Sequence, residues 1–572
     1  MGATNILFTL ATCIAFMGMV GWIAYLKTRG EVDSKEGYFL AGRGLTGTFI
    51  AGSLLLTNLS AEQLIGLNGS AYGFNLSAMA WEVTAGFAII VMALVFLPRY
   101  LGGAFATLPQ FLEDRFDPGV RRLTVVLFLF GYGLITIPSI LYSGALAVLR
   151  LFDIPALLNV GFEGGLIITI LVIGMVGGIY AIFGGLRAVA VSDTINGVGL
   201  LIVGTTVPVL GLIALGDGSF SAGLTTVIEA EPEKLNAIGA SDDPVPFGTL
   251  FTGMILANLF YWGTNQYVIQ RTLGAKNLAE GQKGVLLSGF FKLLVPFFMM
   301  LPGVIAYHLY GGELEHIDLA YPTLVADVLP TFMAGFFLAV LLGAVFSSFN
   351  SLLNSAATLF VLDVYQPMAK RVVDDATLIR VAKWASLVIA LFSFVAAPLL
   401  QYAPEGLWQI IRIFTGFYNI PVITLVLVGL FTKQVPAIAA KVVVVFHVIA
   451  YGLLQFVFDT GINFIHIYAI LFAIEVAIML IIGRLQPAVP WQYQAVDVVD
   501  MRPWRFAVPT SIVLVAAIVL TYLMFSPLGL AGGGLGVSFW VSGCLVVALA
   551  VVLAWVADRR WQRRYGSSPS PL

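Results

Sequence analysis

The chain has 572 residues, 59% of them hydrophobic and only 10% charged, with a formal net charge of −2 and a mean hydropathy of +0.96. An ordinary soluble domain carries ~25% charged residues, so the composition excludes one and specifies a polytopic protein of the lipid bilayer. The near-neutral balance and the lack of a basic stripe exclude nucleic acid as a partner. The two cysteines, Cys13 and Cys544, lie in apolar stretches near opposite ends of the chain and offer neither a metal pair nor a disulfide.

A membrane-crossing helix needs ~20 apolar residues. About fifteen stretches meet that length: 6–26, 46–73, 77–101, 123–150, 165–186, 189–215, 247–270, 284–310, 332–362, 379–400, 405–431, 435–457, 462–483, 505–526 and 535–557. The first, Ile6–Leu26, has no cation before it and has Lys27 and Arg29 behind it, so it reads as a retained span rather than a cleaved leader. Cations then gather in alternate loops: Lys35 and Arg43, Arg115 to Arg122, Arg187, Arg271 to Lys283, Lys370 to Lys383, Lys433 and Lys441, Arg484 to Arg505, and Arg559 to Arg564. The loops between them hold Asp153, Glu163, Asp217 to Asp243, Glu313 to Asp327, Glu405 and Asp459. Lysine and arginine mark the cytoplasmic side, which places the N-terminus outside and the C-terminus inside a cell membrane. The longest loops, near 216–246 and 485–504, are too short for a core of their own, so residues 1–572 form one domain. The Ser- and Pro-containing tail 565–572 is expected to be disordered.

The second span is interrupted. Leu54–Tyr72 carries Thr57, Asn58, Ser60, Glu62, Gln63 and Asn68, with Gly66, Gly69 and Gly73 among or beside them. Polar groups in hydrocarbon face a bundle interior or a water-filled cavity, and a breakable polar helix at membrane depth is a mark of a secondary transporter's binding site. A polar interhelical seam is the plainer alternative. The seventh span repeats the pattern with Asn258-Leu-Phe-Tyr-Trp-Gly-Thr-Asn-Gln. Each leads five spans, 46–215 and 247–431, of opposite sidedness, as an inverted repeat requires.

Further polar residues stand out against the apolar background. Glu82 in the third span can accept two hydroxyl donors, with the apolar face of Trp81 beside it; a carboxylate near the outer interface is the bland reading. Lys292 needs a buried partner, such as substrate hydroxyls or Glu82. Ser347 and Ser348 could supply oxygens to sodium together with carbonyls freed at the second-span break, although such a pair more often bonds back to its own helix. Asp193 could draw a cation inward, or simply favour a helix N-terminus. Arg412 suits a carboxylate, sulfate or phosphate, or else pairs with Glu405. The four histidines lack metal-ligand spacing and no phosphate-loop lysine motif occurs, so neither an enzyme nor an ATP-driven pump is indicated.

These motifs resemble the sodium:solute symporters, and among them the sodium/glucose and sodium/galactose-type cotransporters. The resemblance rests on Thr57-Asn-Leu-Ser-Ala-Glu-Gln-Leu-Ile-Gly, Ile179-Tyr-Ala-Ile-Phe-Gly-Gly-Leu, Asn258-Leu-Phe-Tyr-Trp-Gly-Thr-Asn-Gln-Tyr, Gln270-Arg-Thr-Leu-Gly-Ala-Lys and Phe291-Lys-Leu-Leu-Val-Pro. It implies an all-α, leucine-transporter-type five-plus-five inverted repeat with flanking helices at 6–26 and 435–557. It also implies sugar contacts at Gln63, Glu82, Asn258 and Lys292, with Asn58 close by. Tyr261, with Trp262 beside it, matches the family's inner gate; Trp81, Leu67 and Trp408 match its outer gate. Sodium would be held by the side chains of Ser347 and Ser348 and the carbonyls of Leu56, Leu59 and Ala344, with Asp193 on its exit route. Three departures concern the sugar site: Thr136, Ala85 and Arg412 stand where sugar-binding relatives have an asparagine, a serine and a glutamine. The expected function is sodium-coupled import of a monosaccharide by alternating access. The alternatives are an anionic sugar derivative or another small solute, and, in another class, a membrane sensor built on the same fold.

Overall fold

The computed structural model describes residues 3–28, 41–369, 373–402, 407–458, 460–496 and 499–565. Glu405, Asp459 and the tail from 566 onward lie outside the described residues. Among those described, the chain is helical apart from loops and one bridge between Leu45 and Ala275.

The membrane helices are α1 (Ala3–Thr28), α2 (Gly47–Asn58), α3 (Ala61–Gly73), α4 (Leu76–Gly102), α5 (Pro118–Phe152), α6 (Phe162–Leu215), α7 (Gly253–Gly263), α8 (Gln266–Leu273) and α9 (Leu278–Lys292). There follow α10 (Val295–Tyr310), α11 (Thr331–Met368), α12 (Asp375–Tyr402), α13 (Leu407–Phe431), α14 (Ala437–Phe456), α15 (Phe464–Leu485), α16 (Ala507–Met524) and α17 (Val537–Tyr565). By length and composition, 11 helices of the described residues can cross a membrane, or 12 if the pair α9 and α10, bent by 48°, counts as one. The expected fifteen is not reached on that measure, and the four differences have structural causes. Stretches 46–73 and 247–270 are each split into two short helices, 284–310 is bent, and 165–186 runs on into 189–215 within the single helix α6.

The two splits are backbone breaks. Between α2 and α3, Leu59 (φ −82°, ψ 75°) and Ser60 (φ −99°, ψ 175°) leave helical geometry. Between α7 and α8, the Thr264 and Asn265 amides both turn back to the Phe260 carbonyl at 2.9 Å, and Asn265 adopts an extended ψ of 115°. A helix end leaves its last carbonyls and the next helix's first amides without intrahelical partners. Breaking twice inside a membrane is tolerated only where those groups are buried in protein or line a cavity. Part of the α7–α8 break is filled by Tyr132 of α5, whose hydroxyl donates to Asn265 Oδ1 at 2.6 Å.

The broken helices sit at the centre of the bundle. α2 packs between α6, α9 and α11, and α7 packs against α4 and α13, while α14 and α15 brace the outer side of α13. Burial follows: 78% of the most apolar window of α11 and of α13 is buried, against 11% for α17, whose flank is left to lipid. The two long loops cover opposite ends of α4. Loop 216–246 reaches Asn75 through Asp243 (2.9 Å) and the Tyr72 carbonyl through Lys234 (2.9 Å). Loop 485–504 bonds to the Gly102 carbonyl through the Val496 amide at 2.7 Å.

Candidate functional site

At the level of the two breaks lies a small cavity of about 50 Å³, well below the ~300–1,000 Å³ usual for small-molecule sites, so the side chains that line it are drawn close together. Glu62 and Gln63 enter it from the first turn of α3, Trp81 from α4, Asn258 and Tyr261 from α7, and Trp408 and Arg412 from α13. The breaks explain this convergence. A short helix that starts at mid-membrane points its first side chains into the gap left by the missing turn.

Glu82 is the hub behind this wall. It is 2% exposed and accepts from Gln63 Nε2 at 2.9 Å and from the Lys292 ammonium. The Arg412 guanidinium stands 3.7 Å from its Oε1. Asn258 donates to Thr84 Oγ1 at 3.0 Å, one turn along α4 from Ala80, whose carbonyl takes the Thr84 hydroxyl at 2.6 Å. Around this hub several buried polar atoms have no protein partner: Asn58 Oδ1, Gln63 Oε1, Asn419 Oδ1 and the indole nitrogens of Trp81 and Trp408. Buried polar groups are normally hydrogen-bonded, so this concentration at one depth fits a site that receives a guest rich in hydroxyls or charge.

The expected gating residues divide by position. Trp408 is a wall of both this cavity and a second one of about 490 Å³, lined also by Ser70, Asp243, Asp318 and Asn463, so its indole separates the two. Burial pushes the Asp318 carboxyl, in the short turn Ile317–Leu319 outside the spans, up to about 6. Trp81 stacks on Phe464 of α15 with ring centroids 6.3 Å apart. Tyr261 lines the cavity and its hydroxyl accepts from Tyr267 at 2.8 Å. Trp262 instead lies 5.5 Å from the Lys292 ammonium and lines neither cavity; Leu67 is fully buried and also lines neither.

Beside the α2–α3 break, α2 packs on α11, the helix that carries Ala344, Ser347 and Ser348. Ser347 is buried, with its hydroxyl beside the Asp193 carboxylate. Hydroxyl and carbonyl oxygens are the ligands a hard monovalent cation takes, and no cluster of three or more His, Cys, Asp or Glu that could hold a metal occurs among the described residues. Asp193 is fully buried and accepts from Ser53 Oγ at 2.8 Å. Ser53 in turn accepts from Arg271 Nε at 2.7 Å, and Arg271 also donates to the Tyr267 carbonyl and to Ser351. Arg271 is therefore a correction. Counted from the sequence among loop cations, it is fully buried in α8 because Asp193, Ser53 and Ser351 satisfy its charge and donors.

Some wall residues were not foreseen. Tyr418, Asn419 and Thr415 line the cavity from α13. The available signal was the polar run Thr415-Gly-Phe-Tyr-Asn just before Pro421 in an apolar helix. Asn265 and Tyr267, just past the α7–α8 break, were visible only once the break was placed.

Comparison with known proteins agrees with this architecture. The model of the sodium:solute symporter family matches residues 38–442. The chain is 43% identical to the uncharacterized symporter YidK of Escherichia coli (strain K12), over 96% of both chains. It is 33% identical to the sodium/glucose cotransporter of Vibrio parahaemolyticus, over 77% of this chain and 83% of that one. Among solved structures, the substrate-bound outward-open state of a Na+-coupled sialic acid symporter superposes with a TM-score of 0.72 at 20% identity, covering 85% of this chain and 99% of that one. The fold is thus that of the leucine-transporter-type symporters, and family and fold alike are those of transporters.

Proposed function

The chain belongs to the sodium:solute symporter family, and from that premise we propose that it imports a monosaccharide, driven by sodium, through alternating access. The observation that carries the sugar reading is the Gln63–Glu82–Lys292 cluster beside Asn258 and the cavity lined by Trp81 and Trp408. Carboxylate, amide and ammonium groups between aromatic faces match alternating hydroxyls and apolar ring faces. The likeness to a sodium/glucose cotransporter supports the same class.

In this account sodium is a co-substrate. It binds at Ser347, Ser348 and the carbonyls of Leu56, Leu59 and Ala344, and steadies the α2–α3 break so that Asn58 and Gln63 face the sugar. Its inward fall supplies ~2.3 kcal/mol per 100 mV in addition to its concentration term. Because sodium and sugar both favour the loaded state, the change of access is a population shift produced by differential affinity. Trp408 then closes the outer side and Tyr261 releases the inner one, with Asp193 on the cation's way out. Spans 46–215 and 247–431 act as the inverted repeats, in a cell membrane with the N-terminus outside.

A thermal-shift screen of the purified protein tests the substrate class. Binding to the folded state alone raises the melting point. Hexoses or their derivatives are expected to do so in sodium and not in potassium; a shift confined to amino acids or simple carboxylates would overturn the sugar reading.

A further inference from the structure

We propose that the transported sugar carries an oxyanion, a carboxylate or sulfate ester, and that Arg412 receives it. The inference rests on the sugar reading above and concerns the same cavity.

Arg412 is held by its faces. Its guanidinium lies 4.0 Å from the Trp408 ring centroid and 4.8 Å from that of Trp81, an arrangement in which stacking fixes the plane and leaves the N–H edge free to bond. That edge is poorly used by the protein. Nε is buried without a partner, and the terminal nitrogen nearest Glu82 is 3.7 Å away, beyond hydrogen-bond range. The Glu82 carboxylate is instead drawn to Gln63 and Lys292, each of which bonds to one of its oxygens. The result is a fixed, flat, part-buried cation on the wall of a substrate cavity, with donors pre-set for a two-oxygen acceptor. A desolvated charge needs a counter-charge, and the guest is the component that can bring it.

The formal charges of the loaded site lead the same way. Lys292 and Arg412 are balanced by Glu82 and Glu62, the latter with no cation within 4.0 Å among the described residues. One sodium with a neutral sugar would leave the closed site with an excess positive charge. One sodium with an anionic sugar leaves none, the arrangement that a low-dielectric interior favours. Glu62 is then free to accept from sugar hydroxyls while Arg412 holds the anion at the Trp408 end.

The test is sodium-dependent uptake into proteoliposomes of three matched probes: radiolabelled galactose, galacturonate and a galactose sulfate ester. A charge-assisted pair predicts that at least one anionic probe has a KM about tenfold or more below that of galactose. Arg412→Gln should remove that advantage, raising the KM for the preferred anion to or above that for galactose in the same variant, and Arg412→Lys should retain part of it. The two anionic arms separate carboxylate from sulfate recognition. Preference of the wild type for galactose over both anions would overturn the inference and leave Arg412 as part of the outer gate. Sodium-dependent uptake of none of the three would overturn the sugar reading and this inference with it. The wild-type ranking decides the question even if the variants fold poorly.

Discussion

At the scale of single residues, Glu82 decides most. It holds Gln63 toward the cavity and neutralises Lys292, so it serves binding and folding together. Breaking a buried pair by removing one partner costs about 3–5 kcal/mol, whereas replacing both with apolar groups is often neutral. Glu82→Ala should therefore lower the melting point sharply. The double variant Glu82→Leu/Lys292→Met should recover most of that loss in thermal melts while sugar uptake stays abolished. A double variant as unstable as the single one would mean that the pair's worth lies elsewhere. Glu82, Lys292 and Arg412 stood out in the sequence as single charges in apolar surroundings, and Gln63 and Asn258 as members of the polar runs that interrupt their spans. The Lys292–Glu82 pair was one of the readings open to Lys292, but charge complementarity alone could not choose it over substrate hydroxyls, since the two residues are 210 positions apart. For the same reason Arg271 read as a loop charge: its proximity in sequence to Lys276 conceals its proximity in space to Ser53 and Ser351.

At the scale of elements, the broken helices were legible and their neighbours were not. Leu54–Tyr72 and Asn258–Gln266 announce themselves by polar runs with glycine, and both breaks fall inside those stretches, at Leu59–Ser60 and Thr264–Asn265. The continuity of α6 was hidden because Arg187 reads as a loop cation between stretches 165–186 and 189–215 when charge alone is read. The helix carrying Arg412 has its own scaffold. Tyr468 and Tyr451 donate to the carbonyls of Arg412 and Ile413 at 2.5 and 2.7 Å. One turn on, His447 Nε2 donates to the Gly416 carbonyl at 3.0 Å, and its Nδ1 meets Glu475 Oε1 at 2.5 Å. Glu475 also takes the Thr424 hydroxyl at 2.7 Å, and all these contacts tie α13 to α14 and α15. Neither His447 nor Glu475 could be recognised as a pair from spacing, because they lie on different helices. His447→Ala strands a fully buried carboxylate and should destabilise by about 3–5 kcal/mol. If α13 is positioned through this brace, His447→Gln should keep more stability than the alanine variant and show a raised KM for substrate with a lesser change in kcat. Equal melting points for wild type and His447→Ala would contradict the brace.

At the scale of the whole molecule, periodic apolar runs reported an all-helical bundle, and the alternation of cations and acids predicts its sidedness, because a bilayer forces both patterns on any chain that crosses it. What those patterns do not encode is depth, and depth is what makes a transport site. Two breaks at one level, a cavity between them, Trp408 dividing that cavity from a second one, and the buried Ser347 are the features on which the proposed change of access rests. The central claim is that sodium at this centre drives sugar across the membrane. Its most direct test is uptake of radiolabelled hexose or hexuronate into proteoliposomes under an inward sodium gradient. The account predicts accumulation above the external concentration, lost when potassium replaces sodium and strongly weakened in Ser347→Ala, with its sodium half-saturation moved upward. Uptake that is indifferent to replacing sodium with potassium would contradict it.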